Sequence, residues 1–359
     1  MSDAATILRV MLLVTDLQPG GAPLRLLRTA IALRELGVDA ALGSLAGRGP
    51  LHAELETRGV PTFDCGARSV RSITALLRLS AHVRRLQPHL IHATLTHANV
   101  AARLIGRWTG VPVLTSTATL ECERRWHLRL ERATARWDRG HVVHGEALAE
   151  WVRVRFGVPA DRIFQIPWAA DPPALPPRAA ALAELELPPD ACVLAWVGRM
   201  DPVKRVHLAI EALARLPESV HLLLVGSGPL EPSLRAQAAA ISGQRVHFLG
   251  WQRDLGRIWS AADALLLPSL TEGMPNAALE ALACGIPVIA ADLPSLRELQ
   301  RAGADVVLVN PVDAAGLAEV AQATLRRPVG GAPAFRPPTT MQAAAALRDV
   351  YLRVLRQPR

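Results

Sequence analysis

An α/β protein of two domains, each a doubly wound parallel sheet, is what the sequence predicts, on three observations. Short apolar runs of strand length alternate with amphipathic helical stretches along nearly the whole chain. The 359 residues are too many for one core, and two domains of about 150–180 residues fit them better. Six prolines between positions 172 and 189 mark a linker near the midpoint. The expected division is a first domain over 1–170, a linker over 171–190, and a second domain over 191–325. The remainder, 326–359, starts Pro/Gly-rich and loose and ends in a helix.

Composition narrows the class. Half of the residues are hydrophobic, yet no apolar run reaches the roughly 18 residues of a membrane span. The N-terminal apolar segment is short, lacks a basic leader and runs into a Gly turn. It reads as a first buried strand, not a signal peptide. Cys65, Cys122, Cys192 and Cys284 stand far apart, which predicts reduced thiols in a cytoplasmic protein. No Asp-x-Asp or His/Cys cluster has ligand spacing, so no metal is expected. The net charge of +8 lies wholly in residues 1–170, which hold 22 Arg against 14 Asp and Glu. With no nucleic-acid motif beside it, that excess points to an anionic membrane surface or a lipid-phosphate acceptor, or merely to an Arg-rich proteome.

In the first domain, residues 9–14 form a strand, and Gly20-Gly21 precede an amphipathic helix over 23–36. A glycine turn between strand and helix lets backbone amides approach an anion. A strand over 38–45 and helices over 51–58 and 69–86 follow. His92 and His97 then lie at a strand end and the next helix start, where a histidine is more often structural than catalytic. After a strand over 111–116, residues 121–139 are helical and dense in Arg124, Arg125, Trp126, Arg129, Arg132, Arg136, Trp137 and Arg139. That mixture suits a membrane-surface element, or equally a solvated basic face with Trp126 in the core. Residues 141–144, a helix over 146–156 and residues 162–167 close the domain.

The second domain opens with a strand over 192–197, then Gly198-Arg199, then a helix near Val203. Lys204 is the only lysine among 40 basic residues, so this position wants a compact ammonium. Arg199 and Lys204 sit at a strand end and helix start, where phosphate is favoured. A second Gly turn, Gly226-Ser-Gly228-Pro, follows residues 221–225, and Trp251 follows the next strand. Residues 264–267 form a strand, and 269–276 a loop in which Gly273 is free in φ and Pro275 suits a first helical turn. A helix over 277–284 and a strand over 287–291 complete the stretch. Glu280 is its only charge after Gly273, and an isolated carboxylate between buried strands needs a hydrogen-bonding partner. Both Glu272 and Glu280 are expected at the crevice beyond the strand ends, Glu272 at its lip and Glu280 deeper.

The string Thr-Glu272-Gly-Met-Pro-Asn-Ala-Ala-Leu-Glu280-Ala-Leu-Ala-Cys-Gly-Ile-Pro-Val resembles the signature of family 4 retaining glycosyltransferases. Gly20-Gly21, His92 with His97-Ala-Asn, Ile166-Pro, Gly198-Arg199, Lys204 and Gly226-x-Gly228-Pro resemble the family elsewhere. The chain departs at Pro23, at Thr94, at Thr117-Ala-Thr119, at Trp168-Ala169 in place of Asn-Gly, and at Pro294-Ser-Leu-Arg-Glu298. The resemblance implies the GT-B fold, two Rossmann-like domains facing across a cleft, with the last helix packed on the first domain. It implies a nucleotide-diphosphate sugar as donor, with UDP or GDP as carrier, and no other cofactor. Arg199 and Lys204 would meet the diphosphate. Glu280 would hold the ribose, and Glu272 with Gly273, Met274, Pro275 and Asn276 the sugar. Gly20, Gly21, Gly198, Gly226, Gly228 and Trp251 would line the donor, and His97 would touch substrate. The expected acceptor is a glycolipid or surface polysaccharide intermediate, reached from the cytoplasm or the inner membrane face. Two other classes stay open: a nucleotide-sugar epimerase of the same fold, and a non-catalytic scaffold that binds a partner glycosyltransferase.

Overall fold

The computed structural model describes residues 7–69, 72–118, 125–241, 243–327 and 335–357. The chain divides into two compact units, the first formed by residues 1–169 and 338–359, the second by 170–337.

In the first unit, β1 (Arg9–Val14), β2 (Asp39–Ala46), β3 (Thr62–Ala67), β4 (Leu90–Thr94), β5 (Val113–Ser116), β6 (Gly140–Val143) and β7 (Ile163–Gln165) form one sheet. Its order is β3-β2-β1-β4-β5-β6-β7, and each neighbouring pair is parallel. Parallel neighbours need crossovers, and six helices supply them: α1 (Gly21–Glu35), α2 (Pro50–Thr57), α3 (Ile73–Leu86), α4 (Thr96–Thr109), α5 (Arg125–Thr134) and α6 (Glu146–Phe156). Burial on both faces explains why the strands read as continuous apolar runs. Leu12, Val14, Leu42 and Leu114 face one core with α1, while Met11, Leu13, Ile91 and Val113 face another with α3 and α4.

The second unit begins with α7 (Arg178–Glu184). Its sheet has the order β10-β9-β8-β11-β12-β13, all parallel, from β8 (Cys192–Val197), β9 (Val220–Val225), β10 (Val246–Gly250), β11 (Ala264–Leu267), β12 (Val288–Ala291) and β13 (Val306–Val309). The helices between and after them are α8 (Val206–Leu213), α9 (Glu231–Ile241), α10 (Gly256–Ala261), α11 (Asn276–Ala283), α12 (Pro294–Arg301) and α13 (Ala314–Leu325). The last helix, α14 (Thr340–Arg356), returns to the first unit. A Thr339/Gln342 capping box starts it, and Leu347, Tyr351 and Val354 enter the core beneath α1. In each sheet the strand order reverses once, between β1 and β4 and between β8 and β11, and ligands of such sheets bind beyond the strand ends there.

Several expectations need correction. The proline-rich stretch is no open linker: α7 packs on α10, and Arg178 donates to the carbonyls of Ala261 and Ala191 and to Asp263. The helix read over 121–139 is shorter. At its C-terminal end it stops at Thr134 and tightens into a single 3₁₀ turn at Ala135–Trp137; at the other end residues 121–124, with Cys122 and Arg124, lie outside the described residues, which take up the helix at Arg125. Trp126 is not in the core; it is 43% exposed. The helix expected near Val203 starts at Val206, because Pro202–Lys204 forms a 3₁₀ turn and Arg205 adopts a left-handed φ of 47°. No helix of the described residues is long and apolar enough to cross a membrane.

Candidate active site

The loops that leave β8 and β11 meet at the switch point of the second sheet. Lys204 ends the 3₁₀ turn after β8, and its Nζ lies 2.6 Å from Glu272 Oε1. Ser269 Oγ donates to the same oxygen at 2.7 Å, and Ser295 Oγ donates to the Glu272 carbonyl at 3.3 Å. Backbone contacts fix this geometry. Leu270 N donates to Val203 O at 2.8 Å, and Arg205 reaches the carbonyls of Pro268 and Ser269 at 2.6 and 3.2 Å. Arg205 therefore straps one loop to the other, a role that its position beside Lys204 does not reveal in sequence. Arg199 is exposed in the same β8 loop and is ion-paired to Asp201. Among the described residues no group of three His, Cys, Asp or Glu side chains is placed to hold a metal ion.

The two glutamates differ in the opposite sense from that expected. Glu272 is buried, at 8% exposure, and Glu280 is only partly buried on α11. The reason is electrostatic. An ammonium and a hydroxyl hold the Glu272 carboxylate, so it can leave water. Glu280 stands over Cys284, whose thiol is pushed up to about 11, by burial first and then by the Glu280 charge. Gly273, Met274 and Pro275 are buried between Glu272 and the first turn of α11. Pro275 is the cap before that helix, not its first residue, and Asn276 begins it.

The glycines of this unit have structural reasons. A Cβ on Gly226, where φ is 128°, would lie 1.8 Å from the Gly198 carbonyl oxygen. One on Gly228 would lie 2.6 Å from Met200 N and O. The turns after β8 and β9 thus touch backbone to backbone, and Gly226 N donates to Gly250 O at 2.7 Å, next to the half-exposed Trp251. Packing alone accounts for Gly226 and Gly228 without a ligand.

In the first unit, Gly20 caps α1 in extended backbone, with only Pro23 Cδ and Gln18 O near a hypothetical Cβ, at 3.7 and 3.9 Å. Neither conformation nor crowding demands glycine there. Gly21 begins the helix. His97 lies in the first turn of α4 with its ring 4.9 Å from that of His127 and 5.6 Å from that of Trp126. His92 is a core residue, its Nδ1 2.7 Å from the Tyr351 hydroxyl on α14, and burial lowers its pKa to about 3. Two features escaped sequence reading. Fully buried Arg103 binds Asp138 through two nitrogens and Glu131 through a third, while Thr115 links Asp138 to His141. Arg25 lies over Trp168, Cζ 3.6 Å from the ring centre.

Comparisons with known proteins agree with this architecture. The model described as Glycosyltransferase Family 4 matches residues 19–172, and that described as Glycosyl transferases group 1 matches 191–327. A D-inositol 3-phosphate glycosyltransferase of Nocardia farcinica is 38% identical over 185 residues, 47% of this chain and 41% of that protein. One from Thermobispora bispora is 36% identical over 201 residues, 50% of this chain and 47% of that protein. The matched region thus spans about half the length, or less, of these curated relatives. Among solved structures, Anabaena HepE in complex with UDP and glucose superposes with a TM-score of 0.79 at 21% identity, covering 97% of this chain and 95% of that one. A glycosyltransferase from Rickettsia africae gives 0.83 at 15% identity, covering 98% and 100%. Two parallel-sheet units, two family models that between them reach into both, and these structural neighbours place the chain among the GT-B glycosyltransferases resembling family 4.

Proposed function

We propose that this protein is a retaining, metal-independent glycosyltransferase that moves a sugar from a nucleotide-diphosphate sugar to a glycolipid or surface polysaccharide intermediate. The observation that supports it best is the pairing of Lys204 with buried Glu272 at the switch point of the second sheet, with Arg199 in the same loop. The chemistry calls for offsetting the negative charge that builds on the departing diphosphate. Preorganised cations in a dry site do this well. Arg199 and Lys204 take that role, so no divalent ion is called for. Glu272 orients the Lys204 ammonium and accepts hydrogen bonds from sugar hydroxyls, with the backbone of Gly273, Met274, Pro275 and Asn276 alongside. Glu280 accepts from the ribose hydroxyls, and Gly198 and Trp251 flank the nucleotide. Gly20 and Gly21 let the backbone at the start of α1 come close to the donor phosphates. His97 faces the acceptor.

The inositol phosphate acceptor in the relatives' names supports a second acceptor class, a small phosphorylated polyol. A thermal-shift screen of nucleotide sugars tests the donor, because a ligand selective for the folded state raises its melting point. Transfer assays with lipid-linked glycans and with inositol phosphate, each with and without excess chelator, then test acceptor and metal. An epimer released without acceptor favours the epimerase reading. Failure of every nucleotide and nucleotide sugar to stabilise the protein favours the scaffold.

A further inference from the structure

We infer that the first unit carries an oxyanion subsite of its own, built on Arg25 and Trp168, which takes a phosphate group. The starting point is a guanidinium with nothing to neutralise it. Arg25 lies one turn into α1, near the carboxyl end of β1. Its Nη1 is buried and has no hydrogen-bond partner among the described residues. The Thr15 hydroxyl, just beyond β1, is buried and unpartnered in the same way. The guanidinium carbon lies over the indole of Trp168, 3.6 Å from the ring centre, so the contact is with the ring and leaves Nη1 for another group. Trp168 is itself fixed: its Nε1 donates to His144 O at 3.1 Å, and its ring packs on the His144 imidazole at 4.2 Å.

The surroundings favour an anion over a cation. Burial lowers the Arg25 pKa to about 9, and among the described residues no carboxylate acts to restore it. His144 donates from Nδ1 to Ile166 O at 2.9 Å, and its pKa is pushed down to about 3, by burial first and then by the Arg25 charge. It is therefore a neutral ring beside a cation and supplies no counter-charge. The first turn of α1 has no acidic residue and no side-chain cap, so its positive end adds to the same field. Desolvated charges in proteins are ordinarily paired. The unpartnered Nη1 fits a tetrahedral oxyanion at the guanidinium edge, and arginine is suited to such groups by its planar fork.

The inference rests on the glycosyltransferase reading only for the source of the phosphate, which is either the donor diphosphate or a phosphate on the acceptor. Inorganic phosphate is the probe, titrated by calorimetry and thermal shift into the full chain carrying Lys204→Ala together with Arg199→Ala, to silence the two cations of the second unit. Arg25→Met in that background should weaken phosphate about tenfold or more. Arg25→Lys should restore part of the loss, and circular dichroism should show both variants folded. Equal phosphate affinity with and without Arg25, or no phosphate binding in the chain lacking Arg199 and Lys204, overturns the subsite. UDP titrated into Arg25→Met alone assigns the source: weakened UDP means the donor diphosphate, unchanged UDP the acceptor. If UDP and every nucleotide sugar fail to bind the unaltered chain while phosphate still depends on Arg25, the donor reading fails and the subsite stands.

Discussion

Arg103 and Arg25 are both guanidiniums drawn largely out of water in the same unit, and their surroundings could hardly differ more. Arg103 meets two carboxylates, with Thr115 and Thr134 bonded around it. Burial alone would lower its pKa, and Asp138 and Glu131 more than reverse that, so the net shift is upward. Arg25 has an aromatic face and no carboxylate among the described residues, and its pKa falls. Lys204 stands between them, with one carboxylate and part of its side chain exposed. A fully paired cation ties α4, α5 and β5 together. One that is partly paired or unpaired keeps donors for something else.

Stability measurements test the contrast with the largest expected effect. Arg103→Met strands two buried carboxylates, and breaking such a pair costs about 3–5 kcal/mol. Arg25→Met removes a desolvated charge that has no ionic partner. Losing the stacking on Trp168 costs about 0.5–2 kcal/mol, and relief of desolvation offsets it. Urea unfolding should therefore place Arg25→Met within about 1 kcal/mol of the unaltered chain. Equal losses in the two variants break the comparison.

Catalysis comes next in size. Lys204→Ala should lose about 2–4 kcal/mol of transition-state stabilisation, read from kcat/KM for the nucleotide sugar. Lys204→Arg should also be impaired, because a planar fork does not reproduce a point charge 2.6 Å from Glu272 Oε1. Full activity in Lys204→Ala removes the residue from the site.

The glutamates sharpen the middle case. Glu272→Gln takes the counter-charge from Lys204, so nucleoside diphosphate should bind as well as before or better, while transfer falls. Glu280→Gln should weaken nucleoside diphosphate itself, by about 1.5 kcal/mol, since bonds to a charged acceptor are the stronger kind. Calorimetry with nucleoside diphosphate, then a transfer assay, separates the two. The reverse pattern exchanges their roles.

Local chemistry explains what was legible in the sequence. The strands over 9–14, 192–197 and 264–267 were visible because burial on both faces makes them continuous apolar runs. β3 was not read: Thr62-Phe-Asp-Cys-Gly-Ala mixes polar and small residues at a sheet edge. α12 and β13 were hidden by the departures after Ala291. At the site, Lys204 and Glu272 could be named one by one, yet their 2.6 Å pairing could not, because 68 residues separate them and contacts from Val203, Arg205, Ser269 and Ser295 fix the distance. Arg25 looked like any arginine of an amphipathic helix. Its isolation from carboxylates is a property of its neighbours in space, and Trp168, one of them, comes from the far end of the first unit's leading segment.

A third class of arginine gives the smallest expected effect. On α5 the side chains of Arg125, Arg129 and Arg132 are exposed, beside Trp126 and Leu130 at 43% and 38% exposure. The opposite side of the same helix carries Glu131 into the Arg103 cluster, so one short helix is anchored on one side and basic on the other. Arginines with indole and leucine between them suit an anionic lipid surface, where each cation adds a little and the apolar groups enter the headgroup layer. We therefore expect the protein to partition weakly to vesicles containing anionic lipid and not to neutral ones. Reversing Arg125, Arg129 and Arg132 to Glu should reduce partition by about fivefold or more for each. Added salt should weaken it as well, because charges in water are screened beyond about 8 Å at physiological ionic strength. The comparison predicts a further separation: these reversals should leave the unfolding free energy nearly unchanged, since the anchoring side of α5 is untouched. Equal partition to neutral and anionic vesicles would refute the membrane reading, and a large loss of stability would show that the exposed arginines also hold the helix.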